Sequence, residues 1–158
     1  MKIVVIGTGF VGVVTAAVYA SFGHEVCGLD IDANKIAKLK KSELPFFEPK
    51  LQELLVETQK KGKLKFTNSY SQAITGAQVV IIAVGTPYNP DGSAKLRYLY
   101  SAIYKMIEYL EAGTIIVVKS TVPPGTFSQL KKRIQAKTSK AFELASVPEF
   151  LREGSAVH

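Results

Sequence analysis

The chain contains a single cysteine, no tryptophan and only two histidines. One cysteine, Cys27, excludes an internal disulfide. Neither it nor His24 or His158 stands at a spacing that ligates a metal, so no metal site is expected. Acidic residues are in deficit, 13 against 20 Lys and Arg, which leaves a net charge of +7. Long apolar runs are also missing. None approaches the length of a membrane helix, and the short apolar start is broken by glycines that have a better use than a signal peptide. The expectation is a cytoplasmic chain with no membrane partner. No serine–histidine–acid set and no P-loop are found.

What is present suits one globular domain spanning 1–158, with 47% hydrophobic residues to fill a core. The lysines come in small groups, such as Lys38, Lys40 and Lys41 or Lys131 and Lys132 with Arg133. Most fall on polar faces or ends of predicted helices. They read as solvated faces that help attract phosphates, so no nucleic-acid partner is expected.

The first twelve residues organise the rest. Ile3 to Ile6 is a β-branched run that reads as a strand buried on both faces. Gly7-Thr8-Gly9-Phe10-Val11-Gly12 then fits G-x-G-x-x-G. Gly7 permits the turn off the strand, Gly9 lets a pyrophosphate approach the backbone, and Gly12 lets the next helix lie close to the sheet. That helix, from about Phe10 to Phe22, aims its N–H groups at the pyrophosphate. A glycine-rich turn that binds nothing would look similar in isolation. Here a second strand, Glu25 to Leu29, ends in Asp30, close to where the fingerprint requires a ribose ligand. A carboxylate there repels a 2′-phosphate, so NAD is the expected cofactor. Lys35, on the next helix, reads by itself as a solvated lysine and is kept among the candidate cofactor-binding residues.

Further along, Asp32 is an N-cap for a helix, and Pro45 to Pro49 breaks the chain. Helices are predicted over Lys50–Lys61, Ser69–Thr75 and Leu96–Leu110. Another runs to about Lys137, with Pro124 able to begin it. Strands are predicted over Leu64–Thr67, Val79–Val84, Thr114–Val118 and Phe142–Val147. Strands alternating with helices imply an α/β Rossmann fold, doubly wound, with a mostly parallel six-stranded sheet in the order 3-2-1-4-5-6. Ligands of such sheets sit beyond the carboxyl ends of the strands. There the sequence places Gly85-Thr86-Pro87, Ser120 to Thr126, and Glu149 to Gly154. Glu149 could act as a general base or position water. By spacing, Glu149 and Glu153 could share a face of a helical turn, or be helix N-terminal acids. Cys27, inside strand two, reads as a buried structural thiol far from the reacting end.

Several stretches together resemble the NAD-binding domain of the UDP-glucose/GDP-mannose dehydrogenase family. They are Ile6 to Gly12, Asp30, Pro45 to Pro49, Val84 to Pro87, Asp91 to Ser93, Lys119 to Thr126, and Pro148 to Ala156. The resemblance implies oxidation of a sugar C6 alcohol to a carboxylate by two NAD, with UDP-glucose or a similar nucleotide sugar as substrate. In that family a cysteine of a later domain traps the aldehyde as a thiohemiacetal, and the resulting thioester is hydrolysed. Thr121 matches the threonine that helps hold the water, and Glu149 the glutamate that assists hydrolysis. Phe150, Leu151, Arg152, Glu153 and Gly154 match the loop along the nucleotide sugar, and Glu153 a second acid near the site. The candidate cofactor contacts are Gly7, Gly9, Phe10, Val11, Gly12, Asp30, Lys35, Gly85, Thr86, Pro87, Thr121 and Glu153.

Family members dimerise through a segment beyond these residues. The family cysteine also lies beyond them, and Cys27 cannot replace it, so this stretch alone is expected to form no NADH from UDP-glucose. Val147, Lys50 and Lys95 depart from the family pattern, at positions where asparagine, glycine and an acid are common. The Lys50 and Lys95 departures look peripheral. Two alternatives stay open: a related GDP-mannose or UDP-N-acetylhexosamine dehydrogenase, and a non-catalytic NAD-sensing module.

Overall fold

The computed structural model describes residues 1–157; His158 lies outside the described residues. Six strands, β1 (Lys2–Ile6), β2 (Glu25–Leu29), β3 (Leu64–Thr67), β4 (Val79–Ile82), β5 (Thr114–Val118) and β6 (Phe142–Ser146), form one sheet in the order β3-β2-β1-β4-β5-β6. All five pairings are parallel, so the sheet is wholly rather than mostly parallel.

Alternation along β1 builds both faces. Ile3 and Val5 point into one apolar layer, and Val4 and Ile6 into the other. The first layer is closed by α1 (Phe10–Ser21), α2 (Ala33–Lys40) and α3 (Leu51–Lys60) through Val13, Val14, Ala17, Ile36, Leu39, Leu51 and Leu55. The second is closed by α4 (Tyr70–Ile74), α5 (Arg97–Ile107) and α6 (Thr126–Gln135) through Ile74, Leu99, Ile103, Met106, Leu130 and Ile134. Helices on both faces explain why the central strands read as continuous apolar runs.

The expected elements are all present, several of them with shorter ends. β4 stops at Ile82, leaving Ala83 and Val84 outside the strand, and β6 stops at Ser146. Asp32 caps α2 by accepting from the N–H groups of Asn34 and Lys35. Ser69 caps α4 through the N–H of Gln72. Pro124 does not begin α6. Gly125, at φ +82°, turns the chain so that the helix starts at Thr126. No helix forms over Glu149–Glu153, so neither helical reading of those acids holds. The Lys50 departure is not peripheral for the backbone. Lys50 sits at φ +65° as the residue entering α3, a left-handed conformation that glycine takes without strain.

Register sets up the functional edge. Ile6 lies opposite both Leu29 and Ile82, Ile82 opposite Val118, and Val118 opposite Ser146. The strands therefore end in step, and the residues that follow emerge along one line.

Candidate functional site

The cradle begins at Gly7, which leaves β1 at φ +96° with its N–H donated to the carbonyl of Leu29 at 2.8 Å. A Cβ on Gly12 would stand 1.9 Å from the Gly7 carbonyl oxygen, so only glycine lets α1 approach the turn this closely. Gly9 differs from both. A Cβ there would meet nothing within 4 Å, because the residue faces open space at the N-terminus of α1. Among the described residues no side chain caps that terminus, and its first turn carries no acid. Free N–H groups, the positive end of the helix dipole and bare backbone suit a pyrophosphate.

Asp30 stands across the turn. Its Oδ2 accepts from the Thr8 N–H at 2.9 Å, the Thr8 hydroxyl at 2.8 Å and the Lys35 ammonium at 3.2 Å, while Oδ1 accepts from the Asp32 N–H at 3.1 Å. Partial burial works to raise this carboxyl. The Thr8 and Asp32 N–H groups, the Thr8 hydroxyl and Lys35 outweigh it and hold the group below the usual carboxylate range. Lys35 is thus no freely solvated lysine, since it folds back from α2 onto the acid. Thr8, an unspecified position of the glycine motif, is 1% exposed and carries part of the same work. Its hydroxyl was the available signal.

A cavity of about 260 Å³ opens from this turn. Gly7, Thr8, Gly9, Asp30, Lys35 and Gly85 line it, with Tyr70, Tyr98 and Ser101 supplied by α4 and α5. The tyrosines come from helices far along the chain, and nothing in their local sequence marks them.

Thr86, Thr121 and Glu149 do not line this cavity. They lie further along the same edge, joined by contacts of their own. The Thr86 hydroxyl donates to the Thr121 carbonyl at 2.8 Å, tying the loop after β4 to the loop after β5. The buried Ser120 hydroxyl reinforces that link by donating to the Val84 carbonyl at 2.6 Å. Glu149, beyond β6, forms an ion pair with Lys119, the first residue after β5. Burial works to raise the Glu149 carboxyl, but Lys119 and the N–H groups of Phe150 and Leu151 hold it below the ordinary range. Glu149 is therefore ionised at neutral pH. Phe150, Arg152, Glu153 and Gly154 are exposed, while Leu151 packs against the α1–α3 layer. Nothing local in the sequence marks Lys119 for this role, although it opens the Lys119 to Thr126 stretch that carries the family resemblance.

Cys27 is half-buried in β2 and packs against the α4–α6 layer. Burial pushes its thiol up, against the pull of Lys2 and Lys65. Among the described residues no helix is long and apolar enough to cross a membrane.

A parallel sheet in this order, a glycine turn opening onto a free helix N-terminus and a carboxylate ending the second strand define a dinucleotide-binding domain of the dehydrogenase type. The UDP-glucose/GDP-mannose dehydrogenase family, NAD binding domain, matches residues 1–158. The chain belongs to this family, and NAD is its cofactor. It is 45% identical over 157 residues to a UDP-glucose 6-dehydrogenase of Rickettsia felis, a match covering 99% of this chain and 35% of that protein. The chain thus spans about a third of the length of the curated relatives it matches. A UDP-glucose dehydrogenase structure from Pyrobaculum islandicum superposes with a TM-score of 0.92 at 39% identity, covering 98% of this chain and 37% of that one. A GDP-mannose dehydrogenase from Pseudomonas aeruginosa gives 0.94 at 32% identity, covering 99% and 38%.

Proposed function

We propose that residues 1–158 serve a UDP-glucose 6-dehydrogenase, which oxidises UDP-glucose to UDP-glucuronate with two NAD. The observation that carries the reading is Glu149, held by Lys119 on the same sheet edge as the cofactor cradle. An NAD-sensing module has no use for that acid. The higher identity to UDP-glucose dehydrogenases, against 32% for the GDP-mannose enzyme, favours UDP-glucose as substrate.

Gly7, Gly9 and the α1 terminus at Phe10, Val11 and Gly12 would hold the NAD pyrophosphate. Asp30, with Lys35 beside it, would hold the adenosine ribose. Gly85, Thr86 and Pro87 would flank the nicotinamide half, with Thr121 and Glu153 as further contacts. Bound NAD supplies the electron acceptor. Phe150 to Gly154 would lie along the nucleotide sugar. Thr121 and Glu149 would orient a water at the reacting carbon, with ionised Glu149 ready to accept its proton. Dimerisation and a cytoplasmic location belong to the same proposal.

The test joins residues 1–158 to the remainder of the Rickettsia felis enzyme in place of its own equivalent stretch. The hybrid should form NADH from UDP-glucose, and Glu149→Gln should lower kcat about 100-fold. A folded, NAD-binding hybrid with no NADH production would overturn the catalytic reading.

A further inference from the structure

Glu48 is the most deeply buried acid among the described residues, 2% exposed, in the Pro45–Pro49 break between α2 and α3. A buried carboxylate must be satisfied, because stripping it of water is costly. Its partners come from the other end of the chain. Oε2 accepts from the N–H of Gly154 at 2.7 Å, and Oε1 from the N–H of Ala156 at 2.8 Å. Among the described residues Glu48 forms no ion pair, so these charge-assisted bonds to backbone carry the compensation. The surroundings fix both sides. Ala156 is buried in the α1–α3 layer, with Leu151 and Val157 packed beside it. Phe46, two residues before Glu48, packs on Phe10 at the N-terminus of α1, with ring centroids 5.2 Å apart.

The loop so anchored begins at Glu149 and contains Phe150 to Gly154. One end is tied by Glu149 to Lys119, and the other by Glu48. We propose that Glu48 is a positioning residue for nucleotide-sugar recognition: it clasps the end of the 150–154 loop and so sets affinity for the sugar nucleotide without touching it. The proposal rests on the reading of that loop as the nucleotide-sugar contact. Each of the two N–H donors meets its own carboxylate oxygen. Glutamine at this place offers one oxygen, and turns an NH₂ group toward the second donor. Phe10 adds a consequence. The 45–49 segment touches the cofactor cradle on one side and the loop on the other, yet a change confined to the Glu48 carboxylate leaves the Phe10–Phe46 contact in place.

The test uses the 158-residue chain. Amide hydrogen exchange at Gly154 and Ala156 is compared between wild type and Glu48→Gln, with Val4 and Val5 of β1 reporting global opening. Each protein is then titrated with UDP-glucose, followed by the amide shifts of 150–154, and with NAD. Glu48→Gln should speed exchange at Gly154 and Ala156 about tenfold or more, with β1 unchanged. It should weaken UDP-glucose about tenfold and NAD by much less, because Glu153 is the one proposed cofactor contact on that loop. Glu48→Asp keeps the charge with a shorter reach and should fall between; it carries the test if the glutamine variant does not fold.

Unchanged exchange at Gly154 and Ala156 overturns the clasp, even while wild-type shifts with UDP-glucose uphold the loop's role. Faster exchange with undiminished UDP-glucose affinity also overturns the proposal. No wild-type shift with UDP-glucose overturns the loop reading, and the positioning role with it.

Discussion

The two halves of the sheet are built differently. In the first, β1 to β3, the functional groups lie close together in sequence, and Thr8, Asp30, Asp32 and Lys35 meet within one strand–turn–helix repeat. In the second, β4 to β6, the edge is assembled from distant segments, Thr86 with Thr121 and Lys119 with Glu149, and its last loop is held by Glu48, which reaches Gly154 from the first half. Burial falls off only at the far edge. Four of the five residues of β1 and three of the four of β4 are buried, whereas none of β6 is fully so. The edge of the cofactor half is thus locally encoded. The edge of the half proposed to do chemistry is a set of loops held by single long-range contacts over a packed core, as suits a region that must admit a substrate.

The sharpest way to break this contrast is at the glycines. Gly12→Ala should destabilise the domain by about 3 kcal/mol and abolish NAD binding, because the new methyl collides with the Gly7 carbonyl. Gly85→Ala, in the second half, meets nothing within 4 Å and should leave stability nearly unchanged. Urea denaturation of both variants reads the difference, and equal losses would remove the contrast.

Next in size is Asp30→Ala. Loss of a charged hydrogen-bond acceptor should weaken NAD by about 10- to 100-fold and narrow its preference over NADP, as titration with both cofactors would show. Equal wild-type affinities for the two would remove Asp30 from this role.

Lys119→Met probes the second half. Glu149 has a folded pKa below its unfolded value of about 4.3. Its pairing therefore stabilises the protein above that pH, and the benefit is lost as pH falls through the folded value. The variant should be about 1 kcal/mol less stable at pH 7, with the gap to wild type closing as pH falls below the unfolded value and through the folded one. A gap that persists in acid would mean that Lys119 acts by packing rather than by charge. Lys119→Arg should retain most of the effect.

The smallest change should be a gain. Lys50→Gly relieves a left-handed residue at the start of α3 and should stabilise by about 0.5 to 1 kcal/mol in thermal unfolding. Any loss of stability would show that the Lys50 side chain contributes packing that outweighs its backbone strain.

Strand runs, helix caps and the glycine turn are local matters. Periodicity and residue type alone determined six strands, their parallel order and the place of the glycine turn at the sheet edge, because each depends on neighbours within a few residues or on the rules that connect them. Asp32 could be read as a cap for the same reason. Tertiary structure decided the rest. It turned Lys35 onto Asp30, brought Tyr70 and Tyr98 to the cavity, and paired Glu149 with Lys119. It also buried Glu48 against the backbone of Gly154 and Ala156, more than a hundred residues away. A carboxylate in a sequence is a charge of known type. Its partner is set by which segments the fold brings within about 3 Å, and no local pattern carries that distance.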